Sequence, residues 1–265
     1  VGLSQSSLLP LVWERAGRLA QNSNAHGVAL MLFALTKASS SADGAWGSAL
    51  LDALSRRLLE LLGSGAQGAV EPSTVGVAVY ALARSGCAST VEPALWRALA
   101  TAAARGLGEL SLSEAANIAA ALAQVSKDMG GSGHRPAGVE IRDFFLALRV
   151  RVDDDLRRVG GSYAARSGGG GRVDAAVAAK LVVAFGDVQC TEAGGTALEL
   201  ARRCLAPLVM ATRGAATRAE AAAQLGVGPL RSVASALSRL NMHDEDLMQA
   251  LSMGRHRSPR RLARI

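Results

Sequence analysis

Apolar side chains recur along this chain at the i, i+3, i+4 spacing that buries one face of a helix. Five times they recur as one phrase. It reads Leu30-Met31-Leu32-Phe33-Ala34-Leu35-Thr36-Lys37, then Gly76-Val77-Ala78-Val79-Tyr80-Ala81-Leu82-Ala83-Arg84, then Asn117-Ile118-Ala119-Ala120-Ala121-Leu122-Ala123-Gln124. It returns as Lys180-Leu181-Val182-Val183-Ala184-Phe185-Gly186-Asp187 and as Ser232-Val233-Ala234-Ser235-Ala236-Leu237-Ser238-Arg239. Each copy is followed by a polar or glycine-containing turn and a second amphipathic stretch. Copies of the Ala-Leu step recur at spacings that vary, with insertions, around about 40 residues, in the range of two-helix repeats, and about five pairs exceed the three or so that a stack needs. The pattern predicts an all-α chain, an α-solenoid of about five antiparallel two-helix repeats.

The elements follow from the turns. Leu8 to Gln21 reads as a lone amphipathic helix capping the stack. The first pair is Asn24 to Ala38 with Trp46 to Leu62, the second Thr74 to Ser85 with Thr90 to Arg105, opened by Ser73 as N-cap. The third begins with Ser111-Leu112-Ser113-Glu114, which has the form of a capping box, ends near Asp128, and is partnered by Val139 to Arg158. The segment Gly160 to Gly171 is too rich in glycine for a helix and reads as a flexible insertion. The fourth pair covers Asp174 to Phe185 and Thr191 to Thr212. The fifth starts at Pro229 or Leu230, turns at Asn241-Met242-His243-Asp244 and continues through Met253. The expected organisation is a single helical-repeat domain: a capping helix in 1–22, repeats one to three in 23–158, the insertion in 159–173, repeats four and five in 174–254, and a basic tail in 255–265.

Composition sharpens this picture. Apolar residues make up 49% of the 265 positions but aromatics only 3%, so Ala, Leu and Val must build the interior; small side chains let helix axes approach closely. The net charge is +7, and of 29 Lys and Arg only Lys37, Lys127 and Lys180 are lysine. Arg favours bidentate phosphate contacts and stacking, although an Ala-, Gly- and Arg-heavy composition is also what a GC-rich genome produces. Arg255, Arg257, Arg260, Arg261 and Arg264 lie in a tail without acids, and without them the formal charge falls to +2. Such a tail either orders between phosphates or remains a solvated terminus. Cys87, Cys190 and Cys204 are odd in number and form no C-x-x-C, which argues for small buried side chains in a reducing compartment and against a disulfide framework or zinc ribbon. No apolar run reaches the length of a membrane span. No initiator Met opens the chain, so either a removed presequence or a fragment is expected.

The copies Asn117 to Val125 and Ser232 to Leu240 resemble the first-helix consensus of the octotricopeptide and heptatricopeptide repeat proteins, organellar families some of whose members end in a RAP domain. The resemblance covers most of the chain through about nine positions per copy. It implies organellar RNA binding: transcript maturation, translation, or a place in a mitochondrial ribosome; a plastid address would look the same. The fourth copy departs by ending Phe185-Gly186-Asp187, an acid where others place Lys or Arg, and no RAP-like segment follows the last repeat. These departures fit a fixed component docked on RNA or protein better than a sequence-reading factor.

Candidate RNA-binding residues form two series. The second position after the Ala-Leu step is basic or polar at Lys37, Arg84, Gln124 and Arg239. The partner helices carry Arg56 with Arg57, Arg97, Arg149 with Arg151, and Arg202 with Arg203. Equivalent positions in stacked repeats make a ladder that can track a phosphate backbone; alternatively these Arg cover exposed helix faces and pair with Glu60, Asp52 or Glu199. Trp46, Trp96, Phe144, Phe145 and Tyr80 sit at core spacing, whereas Tyr163 and Trp13 are better placed to stack on bases. So few aromatics favour docking on structured RNA by shape and charge.

Catalytic readings fail individually. Gly63-Ser64-Gly65-Ala66-Gln67-Gly68 has the form G-x-G-x-x-G but follows a Leu-rich helix, not a strand. His26, His134, His243 and His256 lack metal-ligand spacing, and Asp153-Asp154-Asp155 and Asp244-Glu245-Asp246 read as solvated acids at helix ends or turns. No catalytic residue, metal site, cofactor or small-molecule substrate is expected. The expected function is a non-catalytic RNA-binding component of a mitochondrial ribonucleoprotein, with RNA (above all rRNA) and neighbouring proteins as partners. The alternatives are a protein-only scaffold or accessory subunit of an organellar complex, and a free RNA-processing factor.

Overall fold

A computed structural model describes residues 8–38, 45–63, 70–85, 88–130, 138–160, 174–202 and 227–242. These residues are helical, with no strand among them. Ten α-helices follow in order among the described residues: α1 (Leu8–Ala20), α2 (Ala25–Ala38), α3 (Ala45–Gly63), α4 (Pro72–Arg84), α5 (Pro93–Gly106), α6 (Leu112–Gly130), α7 (Gly138–Gly160), α8 (Ala175–Val188), α9 (Gly194–Leu200) and α10 (Val227–Arg239). A 3-10 turn, Thr191–Ala193, leads into α9. Contacts divide the chain into two compact units, Val1–Arg151 and Val152–Ile265.

Local chemistry sets the helix starts. Asn24 accepts the Gly27 N–H at 2.9 Å and caps α2. The capping box before α6 closes in both directions: Glu114 Oε2 accepts the Ser111 N–H at 2.8 Å and its hydroxyl at 2.6 Å, while the Glu114 N–H donates to Ser111 Oγ at 3.2 Å. Both donations hold the Glu114 carboxyl below the usual carboxylate range, the Ser111 hydroxyl contributing most. Asp174 caps α8 by accepting the Ala176 N–H. Ser73 is not the cap of α4. The helix begins at Pro72, whose fixed φ and missing N–H suit a first position, and Glu71 precedes it without a side-chain cap. Pro93 opens α5 in the same way. The helix α7 continues through Gly160, and α10 begins at Val227, ahead of the expected Pro229. The remainder of the expected glycine insertion, residues 203–212 of the second helix of the fourth pair and the end of the fifth pair lie outside the described residues.

In the first unit α2 packs on α4 and α4 on α6, while α1 packs on α3 and α3 on α5. Cross-contacts join α2 to α3 and α4 to α5. The interior between them is built from Val28, Leu32, Leu54, Leu58, Val75, Val79, Leu82, Leu95, Leu99, Ile118 and Leu122, interleaved with buried alanines such as Ala78, Ala81, Ala100 and Ala119. Trp96, Phe144 and Phe145 are fully buried; the Trp96 indole donates to the Ala88 carbonyl at 3.2 Å, and the two Phe rings meet edge to face at 5.5 Å. Close approach is visible at Gly106, where a Cβ would lie 2.5 Å from the Pro72 ring.

In the second unit α8 packs on α10 and α9. A Cβ on Gly186 would lie 2.5 Å from that of Ala236 and 2.7 Å from its Cα, so glycine sets how closely these two helices pack. Both helices end alike. Gln189 and Asn241, two positions after Asp187 and Arg239, have φ of 54° and 55°. The following N–H groups of Cys190 and Met242 donate back to Phe185 and Leu237, at equivalent positions of the phrase. The Thr196 hydroxyl donates to Asp153 at 2.7 Å and ties α9 to the end of α7.

Candidate nucleic-acid interface

Helix period decides where each candidate points. The buried face of α2 (Val28, Leu32, Leu35) leaves Leu30 and Lys37 outward, with Phe33 half-buried at its edge. In α4 the buried Val75, Val79 and Leu82 leave Arg84 outward and Tyr80 half-buried. Since α2 and α4 are in contact, the two phrases lie side by side. Phe33 and Tyr80 pair with centroids 6.3 Å apart and planes tilted by 35°. The Lys37 ammonium lies 5.5 Å from the Phe33 centroid and the Arg84 guanidinium 5.6 Å from that of Tyr80. Each cation sits four residues after its ring, one helical turn, so the quartet is a direct product of the repeat. Among the described residues Arg84 has no carboxylate partner.

The same position in other phrases is used differently. Gln124 is exposed and donates to Asp128 at 2.8 Å. Arg239 reaches Asp187 at 2.6 Å, donates its Nε to the Gly186 carbonyl at 3.1 Å and its Nη1 to Ser235 at 3.0 Å. Asp187, the acid that interrupts the basic series, is thus the counter-ion of the next phrase's Arg.

The partner-helix series is mixed. Arg56, Arg97 and Arg202 are exposed; Arg56 Nε donates to the Asp52 carbonyl at 3.4 Å. Arg57 is half-buried, paired with Glu60 at 3.1 Å and donating to the Ser23 carbonyl at 3.4 Å. Arg151 donates to the Leu110 carbonyl at 2.7 Å, and the Arg149 Nε is buried. Arg57, Arg149 and Arg151 therefore serve packing within the first unit more than an outer surface. Arg203 and the tail residues Arg255, Arg257, Arg260, Arg261 and Arg264 lie outside the described residues, as does Tyr163. Trp13 is half-buried.

Asp154 and Asp155 pair with Arg157 and Arg158 at 3.1 and 3.9 Å on α7, and Asp153 holds Thr196; all three are half-buried helix residues. Cys190 is a buried thiol outside any disulfide, its Sγ 3.8 Å from Glu192 Oε2. Among the described residues no group of three His, Cys, Asp or Glu is arranged to hold a metal ion, and no helix is long and apolar enough to cross a membrane. The quartet escaped sequence reading because Tyr80 has core spacing; the recurring aromatic-then-cation at i, i+4 in two successive phrases was the available signal. No family model matches the chain, and comparison with curated proteins and with solved structures finds no match.

Proposed function

We propose that this chain is a non-catalytic RNA-binding protein, an α-solenoid of about five two-helix repeats that works as a fixed component of an organellar ribonucleoprotein. The octotricopeptide resemblance favours a mitochondrial ribosome. Support for the repeat arrangement comes from the contacts α2–α4–α6 and α1–α3–α5 in the first unit, the pattern that stacked helical hairpins make. The observation that carries the RNA reading is the outward placement of Lys37 and Arg84 at the same position of adjoining repeats. Guanidinium and ammonium groups repeated along one face attract a polyanion. Arg56 and Arg97 of the first unit and Arg202 of the second are also exposed, and the Arg-rich residues 255–265 raise the net positive charge of the chain.

A second reading, a protein-only scaffold, draws on the intramolecular roles of Arg57, Arg151 and Arg239. Sedimentation of the native protein from organelle lysate, with and without RNase, separates the two. Travel with ribosomal particles and a shift after RNase is the expected outcome. A heavy peak indifferent to RNase assigns the chain to a protein complex and overturns the RNA reading.

A further inference from the structure

We propose that the α2–α4 seam is a phosphodiester subsite for single-stranded RNA, with Lys37 and Arg84 as its cations and Phe33 and Tyr80 as the rings that position them. This rests on the RNA-binding reading above and assigns it a place.

Equivalent positions at the two seams hold their cations differently. At the α8–α10 seam the cation Arg239 is met by a carboxylate, Asp187, and by the Gly186 carbonyl. Its charge is cancelled and its hydrogen-bond donors are engaged. At the α2–α4 seam the equivalent Arg84 is held by a ring face instead. A ring quadrupole orients a cation without neutralising it, so the guanidinium keeps its charge and its donors while losing freedom. Lys37 is placed over Phe33 by the same turn geometry on the adjoining helix. Phe33 and Tyr80 pair with centroids 6.3 Å apart, so the two cations sit on adjoining rings, within reach of neighbouring phosphates of one strand.

The rings also decide which form of RNA fits. Phe33 and Tyr80 are only half-buried, and Leu30 on the same outward stripe is 48% exposed. An apolar and aromatic surface beside two cations is of little use to a duplex, whose bases are stacked on one another. It suits a single strand, whose bases seek a surface while its phosphates seek charge.

The test is fluorescence anisotropy of a labelled twelve-nucleotide oligouridylate with the full chain, over a range of salt. Lys37→Gln with Arg84→Gln should bind about tenfold more weakly, with a salt slope shallower by about 1.4, two single-strand phosphate contacts. Tyr80→Leu should weaken binding while Tyr80→Phe retains it. A charge-matched control, Arg15→Gln with Arg18→Gln on α1, should bind as the parent does. If the parent binds the oligonucleotide and the seam variants bind equally well, or the control loses as much as they do, the subsite is overturned and the RNA-binding reading stands. Binding of a hairpin duplex but not of the single strand has the same meaning. If the parent binds neither RNA, both are overturned. Each variant is compared at wild-type helical circular dichroism, and Arg84→Gln and Tyr80→Leu are also read singly.

Discussion

Asp187 Oδ1 lies 2.6 Å from Arg239 Nη2, joining the same position of two successive helical phrases across α8 and α10. The carboxylate side is mostly buried, at 12% exposure against 37% for the guanidinium. Removing Arg239 leaves that carboxylate and the Gly186 carbonyl short of a donor. Arg239→Ala should cost about 1–2 kcal/mol, more than an exposed surface pair and less than a fully buried one. Urea unfolding monitored at 222 nm gives the number, and Arg239→Lys should recover only part of it because a single ammonium replaces a fork.

Gly186→Ala should be more damaging than its size implies. The added methyl would meet Ala236 at its Cβ, Cα and carbonyl oxygen, at 2.5, 2.7 and 2.9 Å. Overpacking of this kind costs about 1–3 kcal/mol. The companion change Ala236→Gly removes only the first of the three clashes, so the double variant should be rescued in part and never fully. Thermal melts of the three variants decide it.

The capping box of α6 carries a pH signature. Glu114 has a lowered folded pKa because it accepts from Ser111. Its contribution is therefore present above the unfolded carboxylate pKa of about 4.3 and is lost as pH falls through the lower folded value. Ser111→Ala should cost about 1 kcal/mol at neutral pH and flatten this acid-side loss. Paired denaturation curves at neutral and acid pH report both effects.

Gln189 holds a left-handed backbone conformation, φ 54°, at the end of α8. A Cβ there is unfavourable by about 1–2 kcal/mol, offset by the greater chain entropy of glycine, about 0.5–1 kcal/mol. Gln189→Gly should raise stability by about 0.5–1 kcal/mol. Asn241→Gly, at the equivalent position after α10, should gain less because Asn tolerates this region. A rise in urea midpoint at constant slope is the expected readout.

Much of the helical framework was legible because period and capping are local properties. Ser111 and Glu114 are three residues apart, and their reciprocal bonds need nothing from the rest of the chain. The start of α4 was misplaced because Ser73 is a good cap by type, yet Pro72 just before it already satisfies a first helical position. The candidate interface was less legible. Lys37 and Arg84 were identified by alignment and their rings lie one turn earlier in the same phrase, but nothing in either phrase says that Phe33 and Tyr80 meet across α2 and α4. Arg151 finds a carbonyl 41 residues away and Thr196 an acid 43 residues away, pairings fixed only when helices dock. Asp187 looked like a break in the basic series for the same reason: its meaning depends on α10.

The alanines inside both units have a consequence for how this protein tolerates change. Ala78, Ala100, Ala103, Ala115, Ala178 and Ala197 are entirely enclosed. A methyl group leaves little for truncation to remove, but a wall of neighbours stands wherever a larger side chain would grow. Alongside the losses expected on truncating its buried leucines and phenylalanines, the chain should therefore also suffer from gains of volume at its alanines. Positions that an alanine scan passes over in silence are thus further places where this molecule is exposed to mutation.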